Sequence, residues 1–279
     1  GGEPYDGFRD RIIFPIRDAR GRAISLGGRA LDPNARAKYL NGPETELFDK
    51  GRSLFNLQKA REAAGKQPLI VAEGYMDVIA LSEAGFGATV APLGTAITED
   101  QLRLMWRLHP EPIITLDGDT AGQRAAMRVI DLALPLIEAG QSLRFAIMPE
   151  GMDPDDLIKA SGPAEMQKQL EAALPMVQLL WRRETEGKVF DSPERKAALD
   201  RDLRAVIRRI SDPSLRSHYG QEINRLRRGL FEPRRASGGR QWRPRNAPAP
   251  TLAETKASLL AAASGAVEEA LREAVILAT

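Results

Sequence analysis

The chain has 279 residues, 43% of them hydrophobic, which is enough for a sizeable core and for more than one domain. It contains no cysteine, which excludes disulfides and a thiolate zinc site within these residues and fits a reducing cytoplasm. No secretory signal and no apolar run of 18 residues is present, so the sequence does not predict a membrane protein. The chain begins without Met, which predicts a fragment of a longer protein.

The net charge of +2 hides a strong segregation along the chain. Residues 1–66 carry 13 Lys and Arg against 9 Asp and Glu, and residues 67–160 carry 6 against 14. Residues 161–250 are basic again, with 19 against 11. An acidic centre between basic flanks is the pattern expected of a metal site that acts on a polyanion.

The first 66 residues predict a small α+β piece. Residues 11–31 alternate as two strands joined by a polar turn at 18–21, and residues 32–56 are polar and irregular in pattern. This segment carries the amino-terminal basic charge.

From residue 68 onward, short apolar runs alternate with amphipathic segments, which is typical of βαβ units in a parallel sheet. The predicted strands are 68–72, 88–92, 112–116 and 143–148, and the predicted helices are 75–85, 98–108 and about 121–139. Amphipathic helices then fill residues 163–231. A flexible linker rich in Pro, Gly and Arg follows at 233–250, and a helical pattern resumes at 252–277.

Acidic side chains follow three of the predicted strands. Glu73 ends the first strand in PLIVAEGYMD, Asp117 and Asp119 end another in PIITLDGDTAG, and Asp153, Asp155 and Asp156 follow the last in PEGMDPDD. The carboxyl ends of parallel strands meet at one edge of a sheet, where ligands bind. Because crowded carboxylates repel one another unless a cation neutralises them, the pattern predicts a Mg²⁺-dependent phosphoryl- or nucleotidyl-transfer site.

Two other interpretations of these acids remain open from the residues alone. A strand followed by Asp-x-Asp-x-Thr also fits a phosphohydrolase of the haloacid dehalogenase type, with Asp117 as nucleophile and Asp119 as acid and base. That enzyme has its aspartates on the first core strand, whereas here a complete strand ending in Glu73 comes earlier. The other interpretation is a non-catalytic nucleic-acid scaffold with a vestigial acidic site.

The Glu-Gly, Asp-x-Asp and downstream acidic motifs resemble the Toprim fold, a parallel sheet flanked by helices. A topoisomerase of this fold needs a nucleophilic tyrosine, and none of the four tyrosines stands in such a context. Seven motifs resemble the catalytic core of DnaG-type bacterial primases in family order, strongly over 1–162 and weakly over 163–231. They are YDGFRDRIIFPIRDARGRAISLGGRAL, KYLNGPET, LFDKGRSLFNL, VAEGYMDVIAL, LGTAITEDQLRLMWR, LDGDTAGQRAA and PEGMDPDDLI.

This resemblance implies a set of site residues. The catalytic residues would be Glu73, Asp117 and Asp119, and the metal ligands Glu73, Asp117, Asp119, Asp153 and Asp155. The nucleotide- and DNA-binding residues would be Arg17, Arg22, Arg29, Lys38, Tyr39, Asn41, Lys50 and Asp77. The implied metal is Mg²⁺, with Mn²⁺ as a substitute, and zinc is expected only in a separate amino-terminal module that this chain lacks.

The resemblance also implies a nucleotidyltransferase that makes RNA primers from NTPs on single-stranded DNA at the bacterial replication fork. Its partner would be the replicative helicase, bound through a carboxyl-terminal domain. The predicted domains are the carboxyl-terminal part of a polymerase subdomain (1–66), the Toprim domain (67–160), a helical subdomain (161–232), the linker (233–251) and the start of the helicase-binding domain (252–279).

Overall fold

The computed structural model of the chain describes residues 6–94 and 96–231. These residues belong to one compact unit that ends at Phe231. The predicted linker and the predicted helix at 252–277 lie outside the described residues. Among the helices that the structure describes, none is both long and apolar enough to span a bilayer.

An antiparallel sheet of three strands occupies the amino-terminal part of the described chain. Its strands are, in order across the sheet, β1 (Arg11–Arg17), β2 (Ala23–Ala30) and β3 (Tyr39–Asn41). In the turn between β1 and β2, the Asp18 carboxylate accepts the backbone amides of Arg20 and Arg22, and Gly21 has a φ of 83°. The predicted hairpin is therefore confirmed.

A second sheet of six strands forms the centre of the fold. Its strands are β4 (Leu54–Phe55), β5 (Ile70–Val71), β6 (Thr89–Pro92), β7 (Ile113–Gly118), β8 (Arg144–Glu150) and β9 (Leu174–Pro175). The order is β4-β6-β5-β7-β8-β9, and the central four strands are parallel as predicted. The predicted parallel core is therefore confirmed, and the edge strands β4 and β9, which the sequence did not predict, are antiparallel to their neighbours. β4 and β9 lie outside the apolar runs from which the other strands of this sheet were predicted.

The described helices are α1 (Leu57–Ala63), α2 (Tyr75–Glu83), α3 (Glu99–Leu108), α4 (Thr120–Ala133), α5 (Pro154–Ser161), α6 (Pro163–Glu171), α7 (Met176–Thr185), α8 (Pro193–Ile207) and α9 (Pro213–Phe231), with a 3₁₀ turn at Lys50–Arg52. The prediction that α4 runs to about Ala139 was wrong. Pro135 has no amide proton to donate to the Asp131 carbonyl, and Arg209 donates to that oxygen at 2.6 Å instead.

The prediction that residues 32–56 are irregular was wrong in part, because they contain β3, the 3₁₀ turn and β4. β4 pairs with β6, and Leu57 and Ala60 of the following helix α1 lie in the core of the larger sheet. One strand and one helix of the central layers therefore come from the segment that the sequence assigned to the amino-terminal piece.

The two faces of the central sheet have separate cores. On one side, called the α4 face, Val71, Ile114 and Leu116 pack with residues of α1, α3 and α4. On the other side, called the α2 face, Ile70 and Ala72 pack with residues of α2, α5 and α6. This alternation follows from side chains that point to opposite faces at successive strand positions.

A third cluster joins the small sheet to the beginning of α2. It consists of buried Ile16, Phe48, Tyr75 and Leu93. The three-stranded sheet is thereby fixed beside the carboxyl edge of the large one.

Candidate active site at the carboxyl edge of the central sheet

Glu73 follows β5 directly. The chain turns into α2 at Gly74, which has extended backbone and is the N-cap of the helix. The buried Asp77 carboxylate accepts the Gly74 amide at 3.1 Å, which satisfies one of the free amides at the helix start. Asp77, predicted to bind nucleotide, therefore has a capping role in this structure.

Asp117 lies near the end of β7, and Asp119 is the N-cap of α4, where its carboxylate accepts the Gly122 amide at 2.7 Å. Gly118 between them allows β7 to approach β8, since a Cβ there would lie 1.9 Å from the Pro149 carbonyl oxygen. A Cβ at Gly122 would lie 2.4 Å from the Asp117 carbonyl oxygen. Both glycines are therefore needed for the close approach of backbone at this edge.

The third acidic group follows β8. Asp153 is the N-cap of α5, and its carboxylate accepts the Asp156 amide at 2.7 Å. Asp155 forms an ion pair with Lys159 one turn along the same helix, at 2.6 Å. Asp156 is exposed in the first helical turn. Each acidic group thus belongs to a strand end or to the helix start that follows it.

The acidic side chains influence one another electrostatically. Burial raises the pKa of Asp117 to about 6, helped by the charges of Glu73 and Asp153. Burial also raises the pKa of Asp77 to about 7, with Asp153 and Asp117 as the next causes. The pKa of Glu73 is raised by partial burial too, although the Asp117 backbone amide and Arg128 oppose the shift. A cation at this edge would relieve the repulsion that the charges of Glu73 and Asp153 exert on Asp117.

The chemistry of these groups fits a hard divalent cation, but their geometry is not a finished cage. Within residues 6–94 and 96–231, no three Asp, Glu or His side chains are arranged to hold a metal ion. Three of the predicted ligands have partners within the protein: Asp119 and Asp153 cap helices, and Asp155 pairs with Lys159. The five-residue ligand set therefore stays a prediction, and its members follow strands that end at one edge of the sheet.

The shifted pKa of Asp77 gives a pH-dependent stability that can be measured. Since its folded pKa of about 7 exceeds the ordinary value of 3.8, its stabilising contribution is complete below pH 3.8 and is lost as the pH rises through 7. Asp77→Asn can still accept the Gly74 amide and does not ionise. In urea unfolding without divalent cations, we expect the variant to gain on the order of 2 kcal/mol relative to wild type between pH 5 and pH 8. A stability difference that does not change with pH would contradict the buried carboxyl.

A basic and aromatic surface lies beside the acids on the α2 face. Tyr39 is exposed, and its ring centroid lies 6.0 Å from that of Tyr75. The charged groups of Arg29 and Lys38 lie 5.9 and 6.0 Å from the centroid of the Tyr39 ring. Burial raises the pKa of Tyr39, Arg29 opposes this, and the charges of Asp77, Asp153 and Asp155 add to it. The charges of the acidic edge therefore act on the Tyr39 hydroxyl, so this surface lies close to that edge.

Asn41 is engaged within the protein. Its amide nitrogen donates to the Leu93 carbonyl at 2.9 Å, and its oxygen accepts the hydroxyl of Tyr75. Burial raises the pKa of Tyr75 to about 12, so this hydroxyl remains a donor at neutral pH. Asn41 thus ties β3 to the end of β6, and that contact holds the Tyr39 surface in place.

The other predicted basic residues lie apart from Tyr39. Arg17 and Arg22 are at the turn end of the β1–β2 hairpin, where Arg17 donates to the Gly21 carbonyl at 2.8 Å and Arg22 pairs with Asp18 at 2.7 Å. Arg29 is at the opposite end of that hairpin. Lys50 begins the 3₁₀ turn, which packs against the start of α3. The structure therefore brings together Arg29, Lys38 and Tyr39, but not the whole predicted set.

Sequence reasoning missed a cavity of about 330 Å³ behind Glu73 on the α4 face. Glu73 and Arg128 both line it, together with apolar residues of β5, β7 and α4. Arg128 follows Asp119 by nine residues, a spacing that no motif marks. The one signal in the sequence is the helical period, which puts Ala121, Ala125 and Arg128 on one side of α4. This period could have predicted that Arg128 lies on the same side as the cavity.

Three family models match the chain. The model "DNA primase catalytic core, N-terminal domain" matches residues 1–61, "Toprim domain" matches 67–145, and "DnaB-helicase binding domain of primase" matches 180–226. The last match falls on α7 to α9, upstream of the segment at 252–279 that the sequence assigned to helicase binding.

Individual primases are similar to this chain. The DNA primase of Rickettsia conorii is 41% identical over 219 residues, which are 78% of this chain and 37% of that protein. The structure of the DnaG primase catalytic domain bound to ssDNA has a TM-score of 0.73 and 39% identity, covering 80% of this chain and 72% of that one. The Aquifex aeolicus primase structure, with zinc-binding and RNA polymerase domains, has a TM-score of 0.67 and 31% identity, covering 83% and 55%.

A mostly parallel sheet that carries Glu73, Asp117 and Asp119 at its carboxyl edge, together with the domain match over 67–145, defines a Toprim protein. Within that class, the chain belongs to the DnaG-type DNA primases, as their catalytic core. It spans little more than a third of the length of the curated relatives that it matches.

Proposed function

We propose that this chain is the polymerising core of a primase, a nucleotidyltransferase that makes short RNA primers from NTPs on single-stranded DNA. The primer 3′-hydroxyl attacks the α-phosphorus of the incoming NTP, a phosphodiester forms, and pyrophosphate leaves. The observation that carries the proposal is the group of carboxylates at the strand ends and helix starts of one sheet edge, beside the Arg29, Lys38 and Tyr39 surface. Membership in the primase family and the likeness to a DnaG catalytic domain bound to ssDNA support it.

The metal would be Mg²⁺, or Mn²⁺ in its place, held by oxygen ligands from Asp117, Asp119, Asp153 and Asp155, with Glu73 as a further candidate. When bound, it supplies positive charge that neutralises the triphosphate. The raised pKa of Asp117, which the charges of its acidic neighbours help to maintain, supports a cation site at this edge.

The chain's own residues have distinct tasks in this reaction. Glu73 accepts the proton that the 3′-hydroxyl loses, and its raised pKa makes it a stronger base than an ordinary carboxylate. Arg29 and Lys38 contact phosphates, and Tyr39 offers a ring on which a base can stack. Asp77 and Asn41 hold the surroundings through α2 and β3.

The partners of the longer protein follow from the same proposal. The family match over 180–226 supports binding of a replicative helicase through the helices α7 to α9. Zinc would belong to a separate module, by analogy with the zinc-binding domain of the Aquifex aeolicus primase. The place of action would be the bacterial replication fork in the cytoplasm.

The comparisons give no support to a haloacid-dehalogenase-type phosphohydrolase or to a non-catalytic scaffold. The three functions differ in the small molecule that they release, if any. With a primed single-stranded template, NTPs and Mg²⁺, we expect RNA extension with one pyrophosphate released for each nucleotide added. Release of inorganic phosphate without extension would favour the phosphohydrolase, and template binding without turnover would favour the scaffold.

Replacing Arg29, Lys38 and Lys50 by Ala should weaken single-stranded DNA or nucleotide binding and leave divalent-metal affinity nearly unchanged. Each lost phosphate contact should also reduce the dependence of log affinity on log salt by roughly 0.7. Titration of a fluorescent oligonucleotide at several salt concentrations measures both effects. The matched comparisons are Arg29→Ala with Lys38→Ala, and Arg17→Ala with Arg22→Ala, which remove equal charge from opposite ends of the hairpin. Equal losses of affinity in the two double variants would show that the hairpin turn also belongs to the binding groove.

A further inference from the structure

A groove lies between the helices α8 and α9, apart from the acidic edge. Its volume of about 280 Å³ is slightly below the range of roughly 300–1,000 Å³ that is usual for small-molecule pockets. The apolar side chains that line it are Leu203 and Ile207 of α8 and Ile223 of α9. The groove therefore suits an anchoring side chain of another protein better than a whole small molecule.

Gly220 keeps part of this groove open. It lies in the interior of α9, where glycine is among the least favourable residues for a helix. Apart from its chain neighbours and the nearby backbone of its own helix, no described atom lies within 4 Å of the position that a Cβ at Gly220 would take. Packing within the described part of the chain therefore does not require glycine there. A partner's side chain in the groove would require it, because the space beside the α9 backbone would then be filled.

The charges that line the groove are mostly positive. Arg204, Arg208 and Arg227 line it, together with a single acidic residue, Asp200. Asp200 already pairs with Arg227 at 2.6 Å and lies 4.0 Å from Arg204. Arg208 is exposed, and no carboxylate of the described residues lies within 4.0 Å of its guanidinium. The α8 side of the groove therefore carries positive charge that can pair with the carboxylates of a partner.

The lining favours an acidic protein segment over a nucleic acid. Single strands bind where their bases can stack on aromatic rings, and none of the described residues that line this groove is aromatic. Asp200 would repel a phosphate, whereas the apolar side chains would gain from contact with an apolar partner. The family model of the DnaB-helicase binding domain covers residues 180–226, which include every lining residue except Arg227. The groove thus belongs to the part of the chain that resembles a helicase-binding domain.

We infer that this groove is the anchor site for an acidic, amphipathic segment of the replicative helicase. A large apolar side chain of that segment packs on Leu203 and Ile223 beside Gly220. Carboxylates of the same segment pair with Arg204 and Arg208. The inference rests on the proposed helicase binding, and it names the site of that contact and the chemistry of the bound segment.

Gly220→Leu tests the groove by filling it. Leucine favours helix and the space at position 220 is open, so the variant should melt at or above the wild-type temperature. It should weaken binding of the purified DnaB-type helicase of the same organism at least about thirtyfold, the loss expected when a central anchor is excluded from an interface. Gly229→Leu is the matched control. Gly229 lies on the same helix, is equally open among the described residues and does not line the groove, so the Kd should change by less than about twofold.

A double variant, Arg204→Ala with Arg208→Ala, tests the acidic chemistry of the partner. Helicase binding should weaken roughly two- to thirtyfold at low salt, the range for two exposed ion pairs, and much less at high salt, where such pairs are screened. Arg201→Ala with Arg228→Ala is the matched control, because it removes equal charge from α8 and α9 at exposed positions outside the groove. It should change the Kd by less than about twofold at either salt concentration.

The outcomes separate this site from its alternatives. Wild-type helicase affinity in Gly220→Leu would overturn the groove as the anchor site. A loss in Gly220→Leu without a salt-dependent loss in the arginine double variant would overturn the acidic partner. Weaker binding of single-stranded DNA by the groove variants, with helicase affinity unchanged, would show that the groove holds nucleic acid and would also overturn the inference. Failure of the wild-type chain to bind the helicase would instead refute the proposed helicase binding itself.

Discussion

Asp117→Asn and Asp119→Asn should each lower nucleotide incorporation by at least ~100-fold, a typical scale for the loss of one charge interaction that stabilises a transition state. Asn keeps the shape of both side chains, and at position 119 it can still accept the Gly122 amide as an N-cap. The expected loss therefore reports on charge and not on folding. Incorporation of a labelled NTP on a primed template measures it, and Mn²⁺ titration should show weaker metal binding in the same variants.

Asp202→Asn is the matched control for these two variants. Asp202 lies on α8 and pairs with Arg201 at 2.9 Å, away from the acidic edge. It should incorporate nucleotides at the wild-type rate. If Asp117→Asn or Asp119→Asn also remained near the wild-type rate, these aspartates would not belong to the active site.

Glu73→Gln should abolish synthesis while the fold survives, because the substitution preserves shape and removes the charge that accepts a proton. Loss of a general base typically costs 10²- to 10⁴-fold, so we expect a fall of at least ~100-fold. Glu83→Gln at the other end of α2 is the control and should remain active. Circular dichroism and thermal melting establish that both variants are folded.

Metal binding by Glu73→Gln separates the two roles that Glu73 could have. A base that does not bind the metal leaves Mn²⁺ affinity unchanged when it is replaced, whereas a ligand lowers that affinity. Synthesis within a few-fold of wild type would contradict both roles and make Glu73 an ordinary surface residue at a strand end.

The central sheet could be predicted because its strands are buried on both faces. Such strands are continuous apolar runs in the sequence, and each run here ends at a Gly, Pro or acidic residue. The same pattern predicted that Glu73, Asp117 and Asp153 meet at one edge, and the charges of Glu73 and Asp153, which help to raise the pKa of Asp117, agree with this. The primase resemblance came from seven ordered motifs, and the family comparisons confirm it.

The rest depends on contacts between distant parts of the chain. β4 and β9 have two residues each and form only because β6 and β8 offer open edges. α4 ends before Pro135, which cannot donate the next helical hydrogen bond. The sequence predicted a longer helix because the apolar pattern continues beyond this proline. Asp119 and Asp153 cap helices in the structure. The sequence cannot distinguish a capping aspartate from a metal ligand, because the same carboxylate can serve either purpose.

The basic residues show the same limit. Arg17, Arg22 and Arg29 are the same residue type within one predicted hairpin, so the sequence does not distinguish them. The hairpin register puts the first two at one end and Arg29 at the other. Of these three arginines, Arg29 is the one that lies near the Tyr39 ring. Spacing along a strand predicts which side chains point to the same face of a sheet. The distance from such a residue to a site on another sheet can be known only from the folded structure.

Template-directed extension of a hairpin primer most directly tests the claim that this acidic edge polymerises nucleotides. Four DNA templates would differ only in the first unpaired base, and each would be offered all four labelled NTPs in turn with Mg²⁺. We expect each template to select its complementary ribonucleotide and to release one pyrophosphate per addition, and we expect Asp119→Asn to add none. Addition that ignores the template base, or equal addition by Asp119→Asn, would contradict a polymerase site at this edge.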